Sequence, residues 1–195
     1  MNSTEMQEII KYVTPPKTVF IMGIVTVLLA PIMYFVVKAV SADELKAAVT
    51  GIVMAVMGIV FCCIRYCYLI LAKKSIKQAE KDGKETFLLD SYKNGKKFLD
   101  GRVICGKHYI FGKVFGTIAD LSEVKAIYCE TKRYKGVPTT KTIVIKLNNN
   151  KKLTLCGVNC IEERHPPFDE IIDYIKMLVP DADKSICNKG EPWNG

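Results

Sequence analysis

The chain has 195 residues, 49% of them hydrophobic and 25% charged, with a formal net charge of +8. Its apolar residues are concentrated: no charged side chain lies between Val19 and Val37 or between Ala47 and Ile64, and each run approaches the ~20 residues that cross a ~30 Å hydrocarbon core. The remainder of the chain, beyond the second run, is about the length of one small domain, which excludes a multidomain soluble enzyme and a polytopic transporter.

Residues 1–17 read as an N-terminal tail, 18–40 as a first transmembrane helix, 41–46 as a turn and 47–72 as a second transmembrane helix. In lipid every backbone N–H must be bonded within its own segment, so these runs are helices, and so short a link makes them a hairpin. Gly23 and Ala30 share one face of the first helix and Gly51 and Gly58 one face of the second. Small residues let two backbones approach, and these four are the expected contact seam. Pro31 is expected to kink the first helix. A small-residue cleavage site stands at Val40-Ser41-Ala42, but the apolar run exceeds the ~7–15 residues of a signal peptide and the preceding tail holds Glu5 and Glu8.

Lysine and arginine near the span ends set orientation. Lys11 and Lys17 precede the first span and Lys73, Lys74, Lys77, Lys81 and Lys84 follow the second, whereas Lys38 and Lys46 in the turn are diluted by Asp43 and Glu44. The expectation is a two-pass protein of the cell membrane with both termini cytoplasmic. Arg65 falls ~27 Å along the helix from Ala47, at the inner interface, where its stem can snorkel to the headgroups. Cytoplasmic placement keeps the eight cysteines as free thiols. Cys156, Cys160, His165 and Cys187 form the one metal-like set, but it lacks a paired C-x2-C knuckle.

Charge is shared unevenly. Residues 1–72 hold 5 bases and 4 acids, 73–113 hold 11 and 5, and 114–195 hold 12 and 11. The excess lies beside the membrane exit, in a basic juxtamembrane connector over 73–97 that is expected to continue the second helix as far as Gly83. Anionic lipids of the inner leaflet attract lysine at ~1 kcal/mol per residue near the surface, so Lys73, Lys74, Lys77, Lys93, Lys96 and Lys97 are the candidate headgroup contacts. Nucleic acid is disfavoured as a partner, because the basic run is tethered at a bilayer and no recognition motif accompanies it.

Beyond the connector the hydrophobic period changes. Short strands are expected at Arg102–Cys105 and His108–Phe111, a longer one at Val124–Lys132, and a hairpin from KTIVIKL and KKLTLCG around Asn148-Asn149-Asn150. Pro138 argues for a loop before that hairpin. Phe168, Ile171, Ile172, Ile175, Leu178 and Val179 recur at helical spacing, with Pro167 in the first turn and Pro180 as a stop. The fold class is therefore membrane-anchored α+β: a transmembrane helical hairpin, then a bent antiparallel sheet capped by one C-terminal helix.

The order GRVICGKHYIFG, then TIADLSEVKAIY with Ile118, Leu121, Val124 and Ile127 leading into the central strand, then a polar-turned hairpin and a helix ending at Val179-Pro180, resembles the bacterial pleckstrin-homology-like (PH-like) domains that hang from one or two membrane spans. The resemblance covers residues 98–183 and leaves 184–195 as a tail. It implies a seven-stranded, strongly bent sheet or barrel and, in many members, no known activity. In eukaryotic relatives of that fold a basic pocket near the first hairpin binds phosphoinositides; no Lys/Arg motif of that kind is matched here residue by residue.

No catalytic set converges. His108 and His165 are isolated, Glu162, Glu163 and Asp169 sit near a helix start where capping explains them, and GKHYIFGK lacks phosphate-loop spacing. The expectation is a non-enzymatic, cofactor-free binding module at the inner leaflet, with membrane lipid as partner. Its rivals are a scaffold for a cytoplasmic protein partner, using an edge strand or the C-terminal helix, and a Cys/His metal or thiol sensor.

Overall fold

The structure is a computed structural model that describes residues 3–41, 43–135, 137–159 and 168–180. Helix α1 (Ser3–Val13) is followed by α2 (Lys17–Ser41) and α3 (Glu44–Lys81), then α4 (Glu85–Asn94). Strands β1 (Lys96–Phe98), β2 (Val103–Cys105), β3 (Tyr109–Gly112) and β4 (Thr117–Asp120) form an antiparallel meander. A 3-10 turn at Leu121–Glu123 leads into a second meander of β5 (Val124–Tyr134), β6 (Val137–Leu147) and β7 (Lys152–Asn159). Helix α5 (Phe168–Leu178) ends the described chain.

Both α2 and α3 are long and apolar enough to cross a membrane. They pack along the four small residues expected. A Cβ at Gly58 would lie 2.7 Å from the Gly23 carbonyl oxygen and 2.6 Å from Val27 Cγ2, and one at Gly51 would lie 3.3 Å from Tyr34 Cβ. Helix α2 runs on through Pro31. Asp43 opens α3 by accepting a hydrogen bond from the Lys46 N–H at 3.1 Å, and Gly83, at φ +67°, lets the chain turn back so that the Lys84 N–H reaches the Ala79 carbonyl at 2.8 Å.

Residues 1–17, expected as a tail, contain α1. Its Ile9 and Val13 are fully buried with Ala72, Ile76 and Ala79 of α3, Leu88 of α4, and Ile104, Phe111 and Ile118 of the first sheet. Pro15-Pro16 end it, since a residue before proline is driven out of helical geometry. The connector 73–97 likewise holds α4, which is fastened to the first sheet by buried Ser91. The Ser91 hydroxyl accepts from the His108 and Tyr109 N–H groups at 3.2 Å each, an approach so close that a Cβ at Gly106 would fall 2.2 Å from Ser91 Cβ.

The main core lies between the two sheets and α5, with Val103, Ile110, Ile143, Ile145, Leu155, Ile171 and Ile175 at its centre. Irregular pairing between Val124 and Ala126 and between Ile143 and Val144 bends the second sheet. Pro138 lies inside β6, opposite Arg133, and not in the loop expected. The pairing slips there, between Lys132 and Arg133, where a missing N–H interrupts no regular ladder.

Candidate functional site

The first functional feature is the junction between the helical hairpin and the β-domain. Arg65 donates to the Pro15 carbonyl, so its guanidinium is held by the α1–α2 link. One turn farther along α3, the ring of Tyr68 meets Phe115 edge to face at 6.2 Å. In the β3–β4 turn, Gly116 (φ +63°) comes so near that a Cβ would be 2.7 Å from the Tyr68 carbonyl oxygen. The Gly116 N–H donates to the Val13 carbonyl at 2.6 Å, and the Tyr12 hydroxyl to the Gly101 carbonyl at 2.8 Å. The β1–β2 and β3–β4 turns are thus seated on α1 and α3, which leaves Lys11, Lys17 and Arg102 exposed around this end of the domain.

Charged residues mark both ends of the apolar helices. Lys17 to Lys38 on α2 and Lys46 to Arg65 on α3 correspond to about 32 and about 28 Å of helix, matching a ~30 Å hydrocarbon core. At the turn end, Lys38 pairs with Glu44 at 2.8 Å.

The six lysines expected at headgroups do not form one surface. Lys73, Lys74 and Lys77 are exposed on α3, on the side away from buried Ala72, Ile76 and Ala79, and lie about 12 to 18 Å beyond Arg65 along the axis. Lys93 closes α4 and pairs with Glu5 at 2.7 Å. Lys96 pairs with Glu170 at 3.1 Å and stands over the rings of Phe98 and Tyr174. Lys97 is exposed on β1.

A second feature, which the sequence does not single out, is an open cleft of about 680 Å³ at the far end of α3, walled by Lys84, Phe87, Lys107, His108, Asp120, Lys125, Asn148 and Val179 among others. The end of α3 is about 24 Å beyond Arg65, so the cleft faces away from the spans. Asp120 pairs with Lys84 at 2.6 Å and accepts from the Ser122 N–H and hydroxyl. Burial acts to raise its pKa, but these hydrogen bonds outweigh it and hold the carboxyl below its ordinary value. The exposed ring of Phe87 lies 4.6 Å from that of His108. The cleft has the volume of a small-ligand or peptide site. No motif marks it, because α4, the β2–β3 turn, the 3-10 turn and α5 converge only in space.

Cys105 and Cys156 are buried free thiols. Burial pushes the Cys105 thiol up, and pushes Cys156 up to about 12, which is the behaviour of packing groups and not of thiolate nucleophiles. Of the metal-like set only Cys156 is described; Cys160, His165 and Cys187 lie outside the described residues. Among the described residues no group of His, Cys, Asp and Glu gathers to hold a metal. No family model, no curated protein and no solved structure matches the chain.

Proposed function

We propose that the chain is a non-enzymatic, two-pass membrane protein that holds a PH-like binding domain against the cytoplasmic face of the bilayer. The four-plus-three arrangement of antiparallel strands followed by one helix supports the PH-like reading. The observation that carries the proposal is the burial of Ile9 and Val13 between α3, α4 and the first sheet, which fixes the domain at one end of the apolar hairpin. Headgroup contact then falls to the bases around the junction, Lys11, Lys17 and Arg102. Lys73, Lys74 and Lys77 act on the leaflet only through a field screened over ~8 Å.

The position of the cleft favours a second, compatible role. A site on the side of the domain away from the bilayer takes its ligand from the aqueous phase, and a protein or peptide partner fits it better than a lipid of the same membrane.

The membrane reading is tested by protease protection in sealed, inside-out vesicles carrying the full chain. Tags at both termini should be cut together without detergent. Protection of one tag alone would put α1 and the β-domain on opposite sides of the bilayer and overturn the proposal.

A further inference from the structure

Three segments meet at the junction end of the domain, residues 14–17, 99–102 and 113–116, and they carry Lys17, Arg102 and Lys113 against one acid, Asp100. Two of these cations face each other. Strands β2 and β3 pair Val103 with Gly112, and the Lys113 N–H donates to the Arg102 carbonyl at 2.8 Å, so the antiparallel ladder runs one pair farther and sets Arg102 opposite Lys113. Both are exposed, and among the described residues neither forms an ion pair, with Asp100 or with any other acid. Like charges directly opposite each other on two strands repel. An anion between them replaces that repulsion with two charge-assisted contacts, and a phosphate group has the oxygens to receive both.

Beside Lys113, in the β3–β4 turn, stands Val114 at φ +79°, a left-handed conformation that a β-branched residue adopts only at a cost. Its side chain belongs to neither hydrophobic cluster and leaves 37% of the residue exposed. The turn that presents it is fixed in height. Phe115 packs on the Tyr68 ring and Gly116 lies on the Tyr68 backbone, about 5 Å along α3 from Arg65. The two residues from Gly116 back to Val114 span up to about 7 Å, which brings Val114 within reach of the level of Arg65, where the uncharged stretch of α3 ends. An apolar side chain flanked by cations at that level suits an anionic bilayer: the cations meet phosphates while the apolar group enters the headgroup layer.

We propose that the β3–β4 turn is a lipid-binding element, in which Arg102 and Lys113 clamp the phosphate of one anionic phospholipid in the leaflet nearest the domain and Val114 inserts beside it. The proposal rests on the reading that α2 and α3 cross a bilayer, and it gives the headgroup contact of that reading a defined site. The two spans anchor the chain whatever the lipid, whereas this clamp selects an anionic one and fixes the domain against the surface.

Single-tryptophan variants of the full chain separate the two claims. With Trp193→Phe as background, a tryptophan is introduced by Val114→Trp, by Leu28→Trp on the exposed face of α2, or by Met177→Trp on α5. Each is reconstituted in phosphatidylcholine containing one quarter phosphatidylglycerol, with bromine on the acyl chains either of the phosphatidylglycerol or of an equal amount of phosphatidylcholine. The Val114→Trp emission should be quenched more by bromine on the anionic lipid than on the neutral one. That preference should fall about fivefold for each of Arg102→Gln and Lys113→Gln, and be lost at about 1 M salt, where the screening length is ~3 Å. Leu28→Trp should be quenched equally by both lipids and Met177→Trp by neither. In uncharged detergent Lys113→Gln should unfold no earlier than the parent chain, because it removes a like-charge contact; earlier unfolding would show Lys113 serving the fold and overturns the clamp. Quenching of Leu28→Trp but not of Val114→Trp, or quenching of Val114→Trp indifferent to which lipid carries the bromine, overturns the proposal for the turn alone. Absence of quenching at Leu28→Trp overturns the membrane reading and the turn's role with it.

Discussion

Gly58→Leu is expected to open the α2–α3 hairpin and lower the stability of the full chain in detergent by about 3 kcal/mol or more, at the top of the range for overpacking. The magnitude reflects what the new side chain would strike. A Cβ at residue 58 falls 2.7 Å from a backbone oxygen and 2.9 Å from a backbone nitrogen of α2, and backbone cannot swing aside as a flexible side-chain end can. Close approach of small residues is what joins helices in lipid, where the surrounding tails are as apolar as the helices and supply no hydrophobic drive. Val56→Leu, on the exposed face of the same helix, should change stability by no more than ~0.5 kcal/mol. Equal effects of the two substitutions on thermal unfolding would show that the Gly23–Gly58 seam is not the contact that holds the hairpin.

Ile9→Ala is expected to cost about 2 to 5 kcal/mol, the range for removing a buried isoleucine side chain. Ile9 has no exposed surface and sits in the cluster with Val13, Ile76, Leu88 and Phe111. Its loss leaves a cavity bounded by α3, α4 and the first sheet, so the destabilisation should spread to the β3–β4 turn that Val13 receives through Gly116. Lys11→Ala, on the exposed side of the same helix, serves as the comparison and should be close to neutral. If both variants unfold with the parent chain, α1 contributes nothing to the core in solution.

The elements that are legible in the sequence are those whose burial follows a simple period. The seam residues Gly23, Ala30, Gly51 and Gly58 recur seven apart, and α5 shows its buried Phe168, Ile171, Ile172 and Ile175 at helical spacing. Asn148-Asn149-Asn150 announces the turn between β6 and β7. The elements that escape carry no such pattern. Strands β2 and β3 are buried at every position and β4 at three of four, so there is no alternation to read, and β1 and β4 are only 3 and 4 residues long. Helix α1 is amphipathic, but an eleven-residue helix is marginal by itself, and it forms here against a surface assembled from α3, α4 and the first sheet.

Charge is hard to read from segments for a related reason. Summed over residues 114–195, twelve bases and eleven acids nearly cancel, although residues 131–141 hold four bases and no acid. The excess that does stand out, over 73–113, is partly neutralised within the fold: Lys84, Lys93 and Lys96 pair with Asp120, Glu5 and Glu170. Each partner is 36 or more residues away in the chain, so segment counting cannot find it. Helix rise alone puts Arg65 about 27 Å along α3 from Ala47, and the structure adds the Pro15 carbonyl that receives its guanidinium.

Helix α1 is the wedge that joins the apolar helical hairpin to the β-domain. Hydrogen exchange of the full chain in lipid nanodiscs measures this directly, because amides in a helix locked into a core open only with the core. Protection of the α1 amides from Ile9 to Val13 comparable to that of β3, and lost in Ile9→Ala, is the predicted result. Exchange of α1 at the rate of an unstructured peptide, beside a protected β-domain, would contradict it.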